Sequence, residues 1–117
     1  MKVAAIQMTS GPDVAENLAQ ARGLLEQAST RGASLAVLPE NFPFMGLKDA
    51  DKRGVAESDG RGPIQDFLAS TALRLRMTIV GGTMPVSIAL TQATLSIAPE
   101  APRVWPIIDF VELIGMR

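Results

Sequence analysis

The segment Leu35-Ala36-Val37-Leu38-Pro39-Glu40-Asn41 decides the fold. Its unbroken apolar run predicts a strand over residues 34–38, and a strand that is apolar on both faces is typical of a sheet covered on both sides. A carboxylate, Glu40, follows directly after this strand. From its position alone, Glu40 is interpreted as an exposed strand-end carboxylate or as a cap for the following turn.

The residues before this strand predict an earlier strand and a helix. Val3–Met8 is a short apolar run that ends in the turn residues Ser10-Gly11-Pro12. Asp13 and Glu16 have the spacing of a capping box, which marks a helix start. Gly32 ends the helix, because glycine adopts positive φ at low cost. The face predicted to be buried consists of Val14, Leu18, Ala21, Leu25 and Ala28.

The residues after this strand predict a loop, a helix and a third strand. Residues 45–61 are polar and rich in glycine, which predicts a loop or a frayed helix. Gly62-Pro63 opens the next helix, with proline at the first helical position. Met77–Val80 predicts a strand closed by a turn at Gly81-Gly82. The helix residues expected to face the core are Ile64, Phe67, Leu68, Thr71 and Leu75.

The carboxyl-terminal part carries weaker signals. Thr91–Ala98 predicts a strand, residues 99–102 predict a turn, and Val104–Ile114 predicts a strand that Pro106 interrupts. The order βαβαβ, followed by further strands, predicts an α/β sheet with helices on its faces.

Composition excludes several classes of function. The 117 residues make one domain or part of one, and the hydrophobic content of 47% argues against intrinsic disorder. The net charge is −1 and the basic residues are scattered, so we expect no nucleic-acid partner. The chain has no Cys and no His, which excludes disulfides, thiolate or imidazole catalysis and the usual zinc sites within it. The first apolar run is too short for a signal peptide or a membrane span, so we expect no membrane partner and a cytoplasmic location.

The ordered motifs resemble the amino-terminal part of a nitrilase-superfamily carbon–nitrogen hydrolase, particularly the Nit-like amidases that act on small ω-amides. The shared features are the first strand, a helix that opens near an Asn such as Asn17, a strand ending in Pro39-Glu40, and a later strand followed by Gly81-Gly82. The resemblance covers residues 1–85 as the amino-terminal part of the domain and leaves residues 86–117 as a divergent tail. It implies an α/β fold that is the amino-terminal part of an αββα sandwich of the nitrilase type.

The resemblance implies a Glu–Lys–Cys triad, of which this sequence holds one member. Glu40 matches the Glu, a general base that moves protons between the thiol, water and the leaving amine. The Cys thiolate would attack the amide or nitrile carbon, and the Lys would stabilise the oxyanion. No Lys follows Lys52, so Asp109 or Phe110 stands at the Lys position, and the Cys would come from a later strand. We therefore predict Glu40 as the catalytic residue and expect the chain alone to be inactive.

The same resemblance implies a small amide or nitrile substrate for an intact relative, with no cofactor and no metal. It also implies association with a second copy or with a complementary half. One alternative is a non-catalytic binding or interaction module on the same scaffold. A second is a flavodoxin-like ligand-binding domain, but Thr9-Ser10-Gly11-Pro12 is a poor phosphate-binding loop after the first strand.

Three further patterns receive simple interpretations. Lys48 and Lys52 could replace the missing Lys, but they lie in a charged segment and are interpreted as solvated. Gly81-Gly82-Thr83 could cradle a phosphate, but is interpreted as a plain turn because no suitable helix follows. A group of carboxylates lacks the ordered spacing of a calcium-binding loop and is interpreted as part of a solvated loop. Its members are Asp49, Asp51, Glu57 and Asp59.

Overall fold

The described part of the chain forms a five-stranded sheet with two helices packed on it. The computed structural model describes residues 1–58, 60–86, 91–97 and 110–115. The strands are arranged in the order β4-β3-β2-β1-β5, where β4 is antiparallel to β3 and the other neighbours are parallel. The predicted α/β class is confirmed. The elements are β1 (Lys2–Gln7), α1 (Val14–Thr30), β2 (Leu35–Val37), a 3₁₀ helix (Asp49–Gly54), α2 (Pro63–Leu75), β3 (Thr78–Val86), β4 (Thr91–Ile97) and β5 (Phe110–Gly115).

Both α-helices begin where the sequence predicts. Asp13 is the N-cap of α1, and its carboxylate accepts a hydrogen bond from the Glu16 backbone N–H at 3.0 Å. Pro63 is the first residue of α2, where its missing N–H leaves no helical hydrogen bond unmade. Gly32 follows the end of α1 with φ +86°, as predicted for a glycine at a helix terminus.

The core lies between the two helices and one face of the sheet. Ala4, Ala36 and Ile79 are neighbours in register across β1, β2 and β3, and each is at most 1% exposed. Because both βαβ crossovers step in the same direction along the sheet with the same hand, both helices lie on this face. The helix residues that complete the core are Leu18, Ala21, Leu24, Leu25, Ala28, Ile64, Phe67, Leu68 and Ala72.

The opposite face of the sheet has no helix over it in the described residues. Val37 is 37% exposed there, and its neighbours in register, Ala5 and Val80, are partly exposed. The prediction that β2 lies in a sheet covered on both sides is therefore wrong for the part of the chain that the structure describes. The cause is topological, because the two crossovers place both helices on one side and leave the apolar residues of the other side without a helix over them.

The third strand is longer than predicted, and its two glycines do not form a turn. β3 runs through Gly81-Gly82 to Val86, and its pairing with β4 shifts in register between Val80 and Thr83. Gly82 has φ +63°, which a residue without a Cβ adopts readily, so the strand passes through a local irregularity and continues. The predicted turn at Gly81-Gly82 is wrong, whereas the strand predicted over residues 91–98 is confirmed as β4.

The carboxyl-terminal predictions are covered only in part. β5 contains the second half of the strand predicted over residues 104–114 and pairs with β1 along its whole length. The predicted turn at residues 99–102, Asp109 and, earlier in the chain, Asp59 lie outside the described residues.

Candidate active site

The predicted general base lies at the carboxyl end of the parallel strands. Glu40 follows β2, the strand between β1 and β3, and its side chain is exposed in this chain. The structure does not bring Lys48 into a buried site, since that side chain is also exposed. Phe110, one of the two residues at the expected Lys position, begins β5 opposite Lys2. Among the described residues, Glu40 is thus the predicted triad member that reaches this end of the sheet.

A tight turn presents Glu40. The Pro39 carbonyl accepts a hydrogen bond from the Phe42 N–H at 3.2 Å, which makes Glu40 and Asn41 the two central residues of the turn. Asn41 has φ +57°, a left-handed conformation that asparagine tolerates better than most residues. The Asn41 carbonyl then accepts from the Phe44 N–H at 3.2 Å, so a second turn follows without a break.

The buried apolar residues that follow Glu40 anchor this turn in the core. Phe42 is 0% exposed, Phe44 is 5% exposed, and Pro43 belongs to the fully buried side chains. An exposed carboxylate, Glu40, is therefore followed two residues later by three consecutive buried side chains. Because Leu38 before Glu40 and Phe42 after it are both buried, Glu40 has a defined place at the surface rather than a position on a free loop.

Asn17 connects the loop after β1 to the loop after β2. Its side chain is 2% exposed and makes three hydrogen bonds. The Asn17 Oδ1 accepts from the Gly11 N–H at 3.0 Å, and the Nδ2 donates to the Gly11 carbonyl at 2.8 Å and to the Pro43 carbonyl at 2.9 Å. An asparagine on the buried face of α1 thus satisfies backbone groups that neither loop could satisfy alone.

Two further bonds hold the same pair of loops together. The Ser10 Oγ donates to the Phe42 carbonyl at 2.7 Å. The Met45 N–H donates to the Gly11 carbonyl at 2.9 Å. The loops that leave β1 and β2 are therefore cross-linked at several points beside Glu40.

The third strand meets the Glu40 turn from the other side. The Leu38 N–H donates to the Val80 carbonyl at 2.9 Å, which extends the β2–β3 pairing toward the turn. The Thr83 Oγ1 accepts from the Asn41 N–H at 2.9 Å. Gly82 approaches so closely that a Cβ on it would lie 2.1 Å from the Pro39 carbonyl oxygen. Three neighbouring strands thus converge on one turn, which is where ligand sites of open α/β sheets form.

Glu57 has a different role from the one that the sequence indicated. It is 6% exposed, and its carboxylate accepts from the Ile64 N–H at 2.6 Å and the Gln65 N–H at 3.0 Å, so it caps the start of α2. The interpretation of Glu57 as part of a solvated loop is wrong, because the first helical N–H groups need acceptors. A cavity of about 460 Å³ beside it is lined by Val14 and residues 54–58 and 61–64, and Glu40 is not part of its wall.

The described residues contain neither a metal-binding group of side chains nor a membrane-spanning helix. In these residues, no three His, Cys, Asp or Glu side chains are grouped to hold a metal ion. No helix in the same ranges is long and apolar enough to cross a bilayer.

Comparison with known proteins places this arrangement in a family. The model of the carbon-nitrogen hydrolase family matches residues 2–100. The chain is 40% identical over 86 residues to a deaminated glutathione amidase of Synechocystis sp., a match that covers 74% of this chain and 31% of that protein. It is 32% identical over 84 residues to the chloroplastic omega-amidase of Arabidopsis thaliana, covering 68% of this chain and 22% of that protein. The chain therefore spans a third or less of the length of these relatives.

Solved structures share the fold. The NitFhit protein of C. elegans matches with a TM-score of 0.69 at 21% identity, covering 82% of this chain and 24% of that one. Nit3 of Saccharomyces cerevisiae, a member of branch 10 of the nitrilase superfamily, matches with a TM-score of 0.67 at 27% identity, covering 80% and 37%. The chain belongs to the carbon–nitrogen hydrolase family, in the Nit-like and omega-amidase branch of the nitrilase superfamily.

Proposed function

We propose that this chain contributes the general-base part of a carbon–nitrogen hydrolase active site, with Glu40 as the base. The observation that carries the proposal is the fixed position of Glu40, on a turn after β2 that is bonded to the middle of β3 and joined to the loop after β1. A catalytic carboxylate must be held in one place while its oxygens remain accessible to the reacting groups. The Glu40 turn meets both conditions, since hydrogen bonds hold its backbone and the Glu40 side chain is exposed.

The proposed chemistry divides between this chain and groups outside it. Glu40 accepts a proton as a thiol attacks the substrate carbon, and then returns a proton to the leaving amine. Water, deprotonated by the same carboxylate, hydrolyses the resulting thioester. The sequence contains no Cys and no Lys beyond Lys52, so the thiolate and the cation that stabilises the oxyanion come from a different polypeptide segment.

The names of the relatives favour a small amide as the substrate. A deaminated glutathione amidase and an omega-amidase both carry amide hydrolysis in their names, whereas a nitrile would be the second choice. We place residues 1–85 in the amino-terminal part of the hydrolase domain and residues 86–117 in a divergent tail. A non-catalytic module has less support, because both relatives bear the names of amidases.

The uncovered sheet face supports association. Val37 is exposed on this face, and Leu35 and Val80 are partly exposed. A second copy or a complementary half would bury this apolar surface. Each 100 Å² of such surface removed from water is worth about 2.5 kcal/mol. We expect such an assembly in the cytoplasm, with no nucleic acid or membrane as partner.

A hybrid enzyme tests the proposed function. Residues 1–85 replace the matching segment of the Synechocystis amidase, which then supplies its own remaining residues. We expect the present chain alone to show no hydrolysis of small ω-amides, and the folded hybrid to turn them over. Turnover by the purified chain alone, or a folded hybrid without any turnover, would contradict the proposal.

A further inference from the structure

Two consecutive residues of β3 flank the backbone of Glu40. The orientation of the Glu40 side chain depends on the two peptide units on either side of its Cα. The first contains the Pro39 carbonyl, and the second contains the Asn41 N–H. Gly82 lies against the first, and Thr83 is hydrogen-bonded to the second.

The contact at Gly82 requires the absence of a side chain. A Cβ there would lie 2.1 Å from the Pro39 carbonyl oxygen, 2.8 Å from its carbon and 3.0 Å from the Leu38 carbonyl oxygen. All three are backbone atoms, so no rotation of a flexible side chain could relieve the clash. The φ of +63° at Gly82 excludes most other residues for a second, independent reason.

The contact at Thr83 requires a hydroxyl. Its Oγ1 accepts from the Asn41 N–H at 2.9 Å across 42 positions of sequence. The turn directs the Asn41 N–H at β3, because this N–H lies in the peptide plane that follows the Glu40 Cα. A hydroxyl at position 83 therefore links the residue after the carboxylate to a strand of the sheet.

We propose that Gly82 and Thr83 are positioning residues that fix the Glu40 carboxylate relative to the sheet. This proposal rests on the proposed function, in which Glu40 is the base. Gly82 lets β3 reach the peptide before Glu40, and Thr83 binds the peptide after it, so both dihedral angles of Glu40 are determined by one strand. Gly82 and Thr83 thus serve the site through close packing and one hydrogen bond.

Amide hydrogen exchange in the full chain, followed by nuclear magnetic resonance, tests the proposal directly. In the native chain, we expect the Asn41 amide to exchange at least tenfold more slowly than in an unstructured peptide. We expect Thr83→Val to raise that rate by roughly threefold to tenfold, as the loss of one hydrogen bond would. Thr83→Ser keeps the acceptor and should stay within about twofold of the native rate.

The amides of β1 provide the internal reference. A local role for Thr83 predicts that the Val3 and Ile6 amides keep their rates in Thr83→Val while the Asn41 rate rises. An Asn41 amide that exchanges at the free-peptide rate in the native chain would overturn the proposal, whether or not the variant folds. Equal acceleration of all amides, or no change at Asn41, would also overturn it. These exchange rates do not depend on catalysis. The positioning role of Gly82 and Thr83 can therefore fail while Glu40 remains the base, and Glu40 can fail as the base while the exchange rates behave as expected.

Discussion

Replacing Asn17 by alanine removes the side chain that connects the loops after β1 and β2. Three hydrogen bonds are lost, of which the one to the Pro43 carbonyl is buried and the two to Gly11 are partly buried. A buried group left without its partner costs about 1–3 kcal/mol, and each partly buried bond contributes about 0.5–1 kcal/mol. We therefore expect Asn17→Ala to lower the free energy of unfolding by about 2–5 kcal/mol, a large share of the roughly 5–15 kcal/mol typical of a domain.

Urea unfolding followed by far-ultraviolet circular dichroism measures this loss. Gln20→Ala is the matched control, because Gln20 lies one turn later on α1 and accepts from the Thr9 N–H at 3.2 Å in an exposed bond. We expect that control to cost no more than about 0.5 kcal/mol. Asn17→Asp keeps the shape and the acceptor but turns an oxygen toward two carbonyl oxygens, so it should cost at least as much as alanine. A loss below about 1 kcal/mol for Asn17→Ala, or one equal to the control, would refute this reasoning.

Two further predictions concern a helix cap and the uncovered sheet face. Glu57→Ala should lower the free energy of unfolding by about 1–3 kcal/mol, since it leaves the Ile64 and Gln65 N–H groups without their acceptor. Glu57→Gln keeps one acceptor oxygen and should cost less. Equal losses for the two variants in the same urea assay would contradict the capping role. Val37→Lys should weaken self-association, measured by sedimentation equilibrium, because it introduces a charge into exposed apolar surface. The control Gln27→Lys, at an exposed position on α1, should leave self-association unchanged. An unchanged association constant for Val37→Lys would exclude this face of the sheet as the contact.

The local elements were predictable because each has its own sequence signal. Asp13 and Pro63 mark helix starts through chemistry that acts within one turn, and both are found there. Pairing across the sheet has no such local signal. The two glycines of β3 are typical of a turn in sequence, and only the neighbour of Gly82 in space, the Pro39 carbonyl, shows why the strand needs a glycine at that position.

The site was predictable in its central residue and not in its supports. Glu40 stands out because it follows an apolar strand directly, but nothing in the sequence connects it to Thr83, which is 42 positions away. Asn17 served as a marker of resemblance, and its place on the apolar face of α1 was the available hint of a buried hydrogen-bonding role. Glu57 was misjudged because a charged segment suggests solvation, whereas the helix start it faces binds a carboxylate.

The catalytic rate constant of the Glu40→Gln hybrid enzyme tests the central claim most directly. Glutamine has nearly the same shape as glutamate, and the side chain is exposed, so folding should be unaffected. Loss of a general base lowers rates by about 10²–10⁴-fold, and we predict a fall in kcat of that size on a small ω-amide. The matched variant Glu16→Gln, which changes an exposed carboxylate on α1, should leave kcat unchanged. A Glu40→Gln hybrid that retains kcat within a few-fold of the parent hybrid would contradict the assignment of Glu40 as the base.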